Sequence, residues 1–291
     1  MSQAAPGPLA PRALSGRVCI VAGASRGVGR GIALALGEAG ATVVCAARST
    51  RFGARTEGRP ETIEDVAEAV SEAGGEGLPY RCDCTDPRAL HEFSAWVLRR
   101  LGPPHLFACT VWGGGEGFDG ERHGDGTPYG APFFRRPLRG FEVALTTGPY
   151  ALLSTARAFV PLMLNAGAGL IVAVGFDAPE GAVQDPVDDL GWAGIRRAAG
   201  IVARGVKGLG ITAVHLSPGF VRTERVIAAG LADHTTESPA YAGRAVAALA
   251  ADRDVGAWHG GSLFVADLAR HYGFTDADGS QPGRFQLPLP S

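Results

Sequence analysis

Seven short apolar runs, alternating with stretches of helical periodicity, predict a single doubly wound α/β domain on a seven-stranded parallel sheet. The first run enters its helix through a glycine-rich turn, the feature that places ligands at the carboxyl edge of such a sheet. No internal repeat and no second core interrupts the alternation, so one domain uses nearly all of the 291 residues.

In chain order, residues 17–22 (RVCIVA) form a β-branched run that leads into a helix over 27–39. The run 42–47 (TVVCAA) precedes a helix over 61–73, and 78–83 precedes one over 86–101. A fourth strand, 105–111, is followed by a long interruption and then a helix over 140–165. The run 169–175 (GLIVAVG) leads to a helix over 189–208, and 211–217 (ITAVHLS) to one over 239–251. The run 262–266 completes the sheet. Repeated strand–helix units imply right-handed crossovers, helices on both faces and ligands beyond the strand carboxyl ends.

Three segments fall outside this pattern. Residues 1–15 carry no basic region followed by an apolar stretch and cleavage site, so they read as a flexible Ala/Pro tail and point to a cytoplasmic location. Residues 112–139 form a Gly-rich loop whose length suits a functional lid or binding loop, the alternative being a surface insertion. Residues 275–291 are polar and Pro-containing, and either wrap the surface or remain disordered.

An apolar content of 46% supports a large core, while a net charge of −2 gives no basic footprint for nucleic acid. No apolar run is long enough to span a bilayer. The five cysteines, Cys19, Cys45, Cys82, Cys84 and Cys109, sit in or beside strands and read as reduced, buried residues. Cys82 and Cys84 are too closely spaced for a zinc knuckle and the histidines are scattered, so no metal site is expected.

The turn Gly23-Ala24-Ser25-Arg26-Gly27-Val28-Gly29 joins the first strand to its helix in the manner of a Rossmann-type nucleotide site. Gly23 permits a tight turn, Gly27 lets the backbone approach a pyrophosphate, and Gly29 allows close helix–strand packing. The helix N-terminus offers unpaired N–H groups to the phosphates. The second strand ends Ala46-Ala47-Arg48, with no acid to hold a ribose 2′-hydroxyl. Arg48 and Arg26 instead suit a 2′-phosphate, so NADP(H) is the expected nucleotide, with NAD(H) the alternative.

This turn, Asp83 after the third strand, Pro218-Gly219 after the sixth and Thr223 beyond it resemble the short-chain dehydrogenase/reductase family over most of the chain. The segments Asp267–Gly273 and Asp276–Gly279 resemble one subgroup of it more narrowly. The resemblance implies that Asp83 and Cys84 meet adenine, that Pro218, Gly219 and Thr223 border the nicotinamide, and that the protein is a homodimer or homotetramer paired through helices 140–165 and 189–208.

Family catalysis uses a Tyr, a Lys four residues later, a Ser and often an Asn. Counting back from Pro218 by the family spacing puts the Lys position on Trp192 and the Tyr position on Asp188; the Ser position falls on Phe176. The stretch Cys109-Thr110-Val111-Trp112 stands for the family's Asn-Asn-Ala-Gly, and the helix Asn falls on Thr146. Phe176, Trp192, Cys109, Thr146 and Trp112 are therefore the expected pocket residues. Asp188 reads first as a helix N-cap, with a partly desolvated general acid or base as the alternative. Cys109 and His215 read as packed strand residues. Three functions stay open: an oxidoreductase whose proton comes from the substrate or from loop 112–139, a nucleotide-binding pseudoenzyme, and a non-redox cyclase, lyase or isomerase acting on an unidentified small molecule.

Overall fold

The computed structural model describes residues 9–233 and 235–287. Its seven strands are β1 (Val18–Ala22), β2 (Thr42–Ala47), β3 (Glu76–Arg81), β4 (Leu106–Cys109), β5 (Gly169–Val174), β6 (Ile211–Ser217) and β7 (Ser262–Phe264). They form one sheet in the order β3-β2-β1-β4-β5-β6-β7, with every pairing parallel. β1 is flanked by β2 and β4, so the strand order reverses there and the crevice opens above the end of β1.

Because strand side chains alternate between faces, each strand feeds two cores. Val21, Val43, Cys45, Ala108 and Val172 face one layer, formed by α1 (Gly27–Glu38), α2 (Ile63–Glu72) and α8 (Pro239–Ala251). Ile20, Val44, Phe107 and Ile171 face the other, formed by α3 (Pro87–Leu101), α5 (Ala151–Ala166) and α6 (Pro186–Val206). Phe159 of α5 joins that layer, with its ring edge on to Phe93 at 5.1 Å and 5.9 Å from Phe107. All five cysteines are free and buried.

The predicted helix over 140–165 is two helices, α4 (Leu138–Leu145) and α5, joined by a wide π turn over Thr146–Tyr150. The helix expected from residue 189 starts at Pro186, because Asp185 caps it. Two helices escape the sequence reading, α7 (Glu224–Ala228) and α9 (Val265–Tyr272); α9 ends β7 two residues early. β3 lies two residues earlier than predicted, and β4 stops at Cys109.

The ends of the chain are better packed than expected. Residues 1–8 of the expected tail lie outside the described residues, but Leu14 is only 1% exposed and its N–H donates to the Ala39 carbonyl at 2.8 Å. Residues 275–287 wrap the domain rather than hanging free, with Asp276 accepting from the Ser238 N–H at 2.8 Å, and residues 288–291 of the expected tail lie outside the described residues. Among the described residues no helix is long and apolar enough to cross a membrane, and no group of side chains could hold a metal ion.

Helices α1 and α8 touch backbone to backbone. A Cβ at Gly31 would lie 2.0 Å from the Pro239 carbonyl oxygen, and one at Gly243 would lie 2.2 Å from the Gly31 oxygen. Neither clash is with a side chain that can swing away. Gly31→Ala is therefore expected to lower stability by about 3 kcal/mol. Urea melts check this; an unchanged midpoint would show that α8 can retreat freely.

Candidate functional site

The glycine turn has the geometry its sequence predicts. Gly23 and Gly27 have φ of 88° and 57°, the left-handed region that side chains disfavour. A Cβ on Gly29 would lie 2.2 Å from the Gly23 carbonyl oxygen. Thr110, beyond β4, pins the turn by donating its hydroxyl to the Ala22 carbonyl at 2.9 Å. Ser25 is buried, and Val28 packs partly buried against the α1 core layer.

Carboxylates from other parts of the chain meet this turn. The Gly27 N–H donates to Glu224 Oε2 at 2.7 Å, so an anion from α7 already sits at the N-terminus of α1. Thr223, the α7 cap, brings its methyl to 3.2 Å from where a Cβ on Gly27 would be. Arg26 pairs with Glu57 at 3.0 Å, and Glu57 also receives Arg225 at 2.9 Å and the Gly117 N–H at 2.7 Å. Arg48 reaches Glu116 of the Gly-rich loop at 3.2 Å. Both arginines expected to meet a 2′-phosphate therefore have carboxylate partners. Asp83 accepts from the Thr85 N–H and hydroxyl at 2.9 and 2.7 Å, fixing the end of β3, and Cys84 is buried beside it.

Three of the five expected pocket residues form an aromatic wall, and Thr146 and Cys109 do not join it. Trp112 lies 5.9 Å from Trp192, and Phe176 meets Trp192 edge on at 5.3 Å. Phe285, from the carboxy-terminal segment, extends the wall at 6.1 Å from Phe176 and 5.5 Å from Phe220. Thr146 is exposed and does not belong to the pocket, because the π turn shifts the helix register. Its neighbour Thr147 faces inward instead and accepts from the Gly113 N–H at 2.9 Å. Cys109 is a packed residue whose thiol burial pushes up to about 11, which keeps it protonated. His215 is likewise packed; its Nδ1 lies 2.8 Å from the Ser262 hydroxyl, and burial pushes the ring down to about 4.

Asp188 is not the helix cap. That position belongs to Asp185, whose Oδ1 accepts from the Val187 N–H at 3.0 Å and the Asp188 N–H at 3.4 Å. Its other oxygen accepts from His123 Nε2 at 2.9 Å and lies 3.4 Å from Arg136 Nε. His123 and Arg136 both come from the loop 112–139, so the cap residue also clamps the loop. Asp188, one turn inside the helix, is buried, and its Oδ1 has no hydrogen-bond partner. Burial first, and the Asp185 carboxylate second, push its carboxyl up to about 7. Tyr129, in the same loop, is held up to about 12 by burial and by Asp188.

Sequence reasoning passed over His123, Tyr129 and Arg136, whose partners lie at the start of α6, far along the chain. It also missed Glu237. This buried acid takes the Gly219 N–H at 3.0 Å and sits 2.6 Å from where a Cβ on Gly219 would be, so it shapes the Pro218-Gly219 corner. Burial and the nearby Asp276 push Glu237 up to about 7, and Pro218 is itself buried.

Comparison with known proteins agrees with this architecture. The family model described as enoyl-(acyl carrier protein) reductase, of the adh_short_C2 type, matches residues 23–257. Human dehydrogenase/reductase SDR family member 1 is 28% identical, with 96% of this chain and 88% of the human protein covered. The mouse protein of the same name is 30% identical over 91% of this chain and 85% of its own length. A short-chain dehydrogenase structure from Mycobacterium thermoresistibile superposes with a TM-score of 0.77 at 19% identity, covering 94% of this chain and 95% of its own. A metagenomic short-chain oxidoreductase solved in complex with NADP gives a TM-score of 0.63 at 23% identity, covering 83% of this chain and 94% of its own. With a family model spanning most of its length and full-length relatives on the same seven-stranded sheet, the chain belongs to the short-chain dehydrogenase/reductase family of oxidoreductases.

Proposed function

We propose that this protein is an NADP(H)-dependent oxidoreductase in which Asp188 replaces the family tyrosine as proton donor and acceptor, acting on a largely apolar carbonyl or alcohol. The observation that carries this is a buried carboxyl with an unpartnered Oδ1 and a pKa raised to about 7, at the family's tyrosine position and one helical turn from the Trp192 wall.

The nucleotide fits the residues present. Gly23, Gly27 and Gly29 let the turn close tightly on Thr110, Thr223 and the Gly23 carbonyl, presenting the Gly27 N–H at the N-terminus of α1, where Glu224 now holds it. Thr223 and Gly219 border the carboxyl edge, and Arg48 supplies a cation at the end of β2 once it exchanges Glu116 for a phosphate. NADPH, when bound, supplies the hydride for the carbonyl carbon. Asp188, neutral below about pH 7, holds a proton at its carboxyl and donates it to the carbonyl oxygen; in the oxidation direction its carboxylate accepts that proton. Phe176, Trp192 and Trp112 exclude water from the reacting groups and select an apolar substrate. Outward-facing Tyr150, Leu164, Leu190 and Ile201 on the α5–α6 side support a homo-oligomer paired through those helices.

One observation favours a second reading, a nucleotide-binding subunit without turnover. The family lysine position is Trp192, and the chain's single lysine, Lys207, lies at the opposite end of α6. Turnover separates the two readings. With NADPH and a panel of aromatic ketones and aldehydes, Asp188→Asn is expected to bind NADPH within about two-fold of the native protein yet lose turnover by ~10²-fold or more. Nucleotide binding with no native turnover on any of the panel would leave the non-catalytic reading standing.

The ionisation of Asp188 also has a stability signature. Its pKa near 7 in the fold lies above the ordinary value of 3.8, so its contribution is fully present below pH 3.8 and is lost as pH rises through about 7. Relative to the native protein, Asp188→Asn should therefore gain about 4 kcal/mol between pH 4 and pH 8. Thermal melts across that window test it, and parallel curves would mean that the carboxyl ionises freely.

Nucleotide titrations read the ion pairs around the turn. NADPH should bind more tightly than NADH, and Arg48→Ala should shrink that gap about ten-fold. Glu224→Ala should tighten both nucleotides several-fold by vacating the Gly27 N–H. Equal affinities for the two nucleotides in the native protein would refute the role given to Arg48.

A further inference from the structure

The carboxy-terminal segment takes no part in the proton transfer proposed above, yet Phe285 brings it against the site. Its path is fixed at several points. Arg244 donates to the carbonyls of Thr275 and Asp276 at 2.6 and 2.9 Å, and the Tyr241 hydroxyl donates to the Pro282 carbonyl at 3.2 Å. Arg284 then pairs with Asp267 of α9 through Nε at 2.8 Å and through Nη2, while its guanidinium lies 4.0 Å over the Phe264 ring.

The next residue turns inward. The Phe285 ring lies between Phe176 and Phe220, and its Cβ is 3.3 Å from where a side chain on Gly219 would begin. Phe176 in turn touches Trp192, so an aromatic row runs from the first turns of α6 to Phe285. Little space is left between Phe285 and the Ser217-Pro218-Gly219 corner. A ring flanked by other rings, and preceded by an arginine paired with Asp267, closes off the space beside the Ser217-Pro218-Gly219 corner.

We propose that Phe285, positioned by the Arg284–Asp267 clamp, sets the depth of the substrate pocket and restricts it to single-ring or slender apolar carbonyl compounds. This specificity role rests on the reading that Phe176 and Trp192 line a substrate site. Removing the ring opens a cavity of roughly 100 Å³, enough for a second fused ring. Arg284 acts at one remove, as a positioning residue: Arg284→Ala should release the wall while leaving every aromatic side chain in place.

The test is equilibrium dialysis of the full chain with saturating NADP+, which has no hydride to transfer, against two probes, benzaldehyde and 2-acetylnaphthalene. Phe285→Ala and Arg284→Ala should each raise affinity for 2-acetylnaphthalene at least ten-fold and change benzaldehyde less than three-fold. Phe285→Tyr should behave as the native protein, and the melting temperature of Arg284→Ala should confirm a folded chain. If neither folded variant gains affinity for the fused-ring probe, or if both probes gain equally, Phe285 does not set pocket depth. Dialysis needs no turnover, so a failure of the Asp188 mechanism shows separately, as inert native enzyme.

Discussion

One buried carboxylate, that of Asp185, holds the functional half of this molecule together. It is fully enclosed, and it answers three demands at once: the orphan N–H groups at the start of α6, the imidazole of His123 and the guanidinium of Arg136. A buried charge with that many partners is costly to strip of any one of them. The arrangement fixes where α6 begins, and with it the height at which Asp188 and Trp192 face the carboxyl edge. It also converts a 28-residue Gly-rich stretch into a covering attached at a defined point. The negative charge of Asp185 then helps keep the neighbouring Asp188 protonated, so the same group that builds the site tunes it.

The sheet and the glycine turn are legible in the sequence because their signals are local. β-Branched runs such as Val18–Ala22 and Ile211–Ser217 announce buried parallel strands, and Gly23, Gly27 and Gly29 announce a close backbone approach. The count from Pro218 also names Phe176 and Trp192 together, and the two rings meet at 5.3 Å. The capping residue is misread by three positions because Asp185, Asp188 and Asp189 all offer a suitable side chain, and only tertiary packing against His123 and Arg136 selects among them. Thr146 is misplaced for a different reason: a π turn adds one residue to the helical register, and no composition signal marks it. The pairings Arg48–Glu116, Arg26–Glu57 and Gly27–Glu224 span 31 to 197 residues of chain, beyond the reach of any periodicity argument.

The departures from the family pattern are concentrated in one place. On the reading proposed above, Phe176, Trp192 and the raised carboxyl of Asp188 stand in place of the family's charged and hydrogen-bonding groups, with Trp112 and Phe285 beside them. Such an exchange lowers the local dielectric and raises the strength of whatever polar interaction survives inside it. On that reading a single acid replaces a network, and its proton affinity is set first by burial and second by the Asp185 carboxylate.

The carboxylate of Glu224 against the Gly27 N–H has a consequence for which anions the protein meets in solution. A lone phosphate or sulfate arriving at the turn must eject an internal, tethered competitor whose effective concentration is high, and it brings no further contacts to offset that loss. A dinucleotide brings two phosphates, a ribose and an adenine that engage β2 and β3 at the same time. On the proposed nucleotide-binding reading, Glu224 would act as a threshold that disfavours small anions relative to a ligand long enough to bind at several points together.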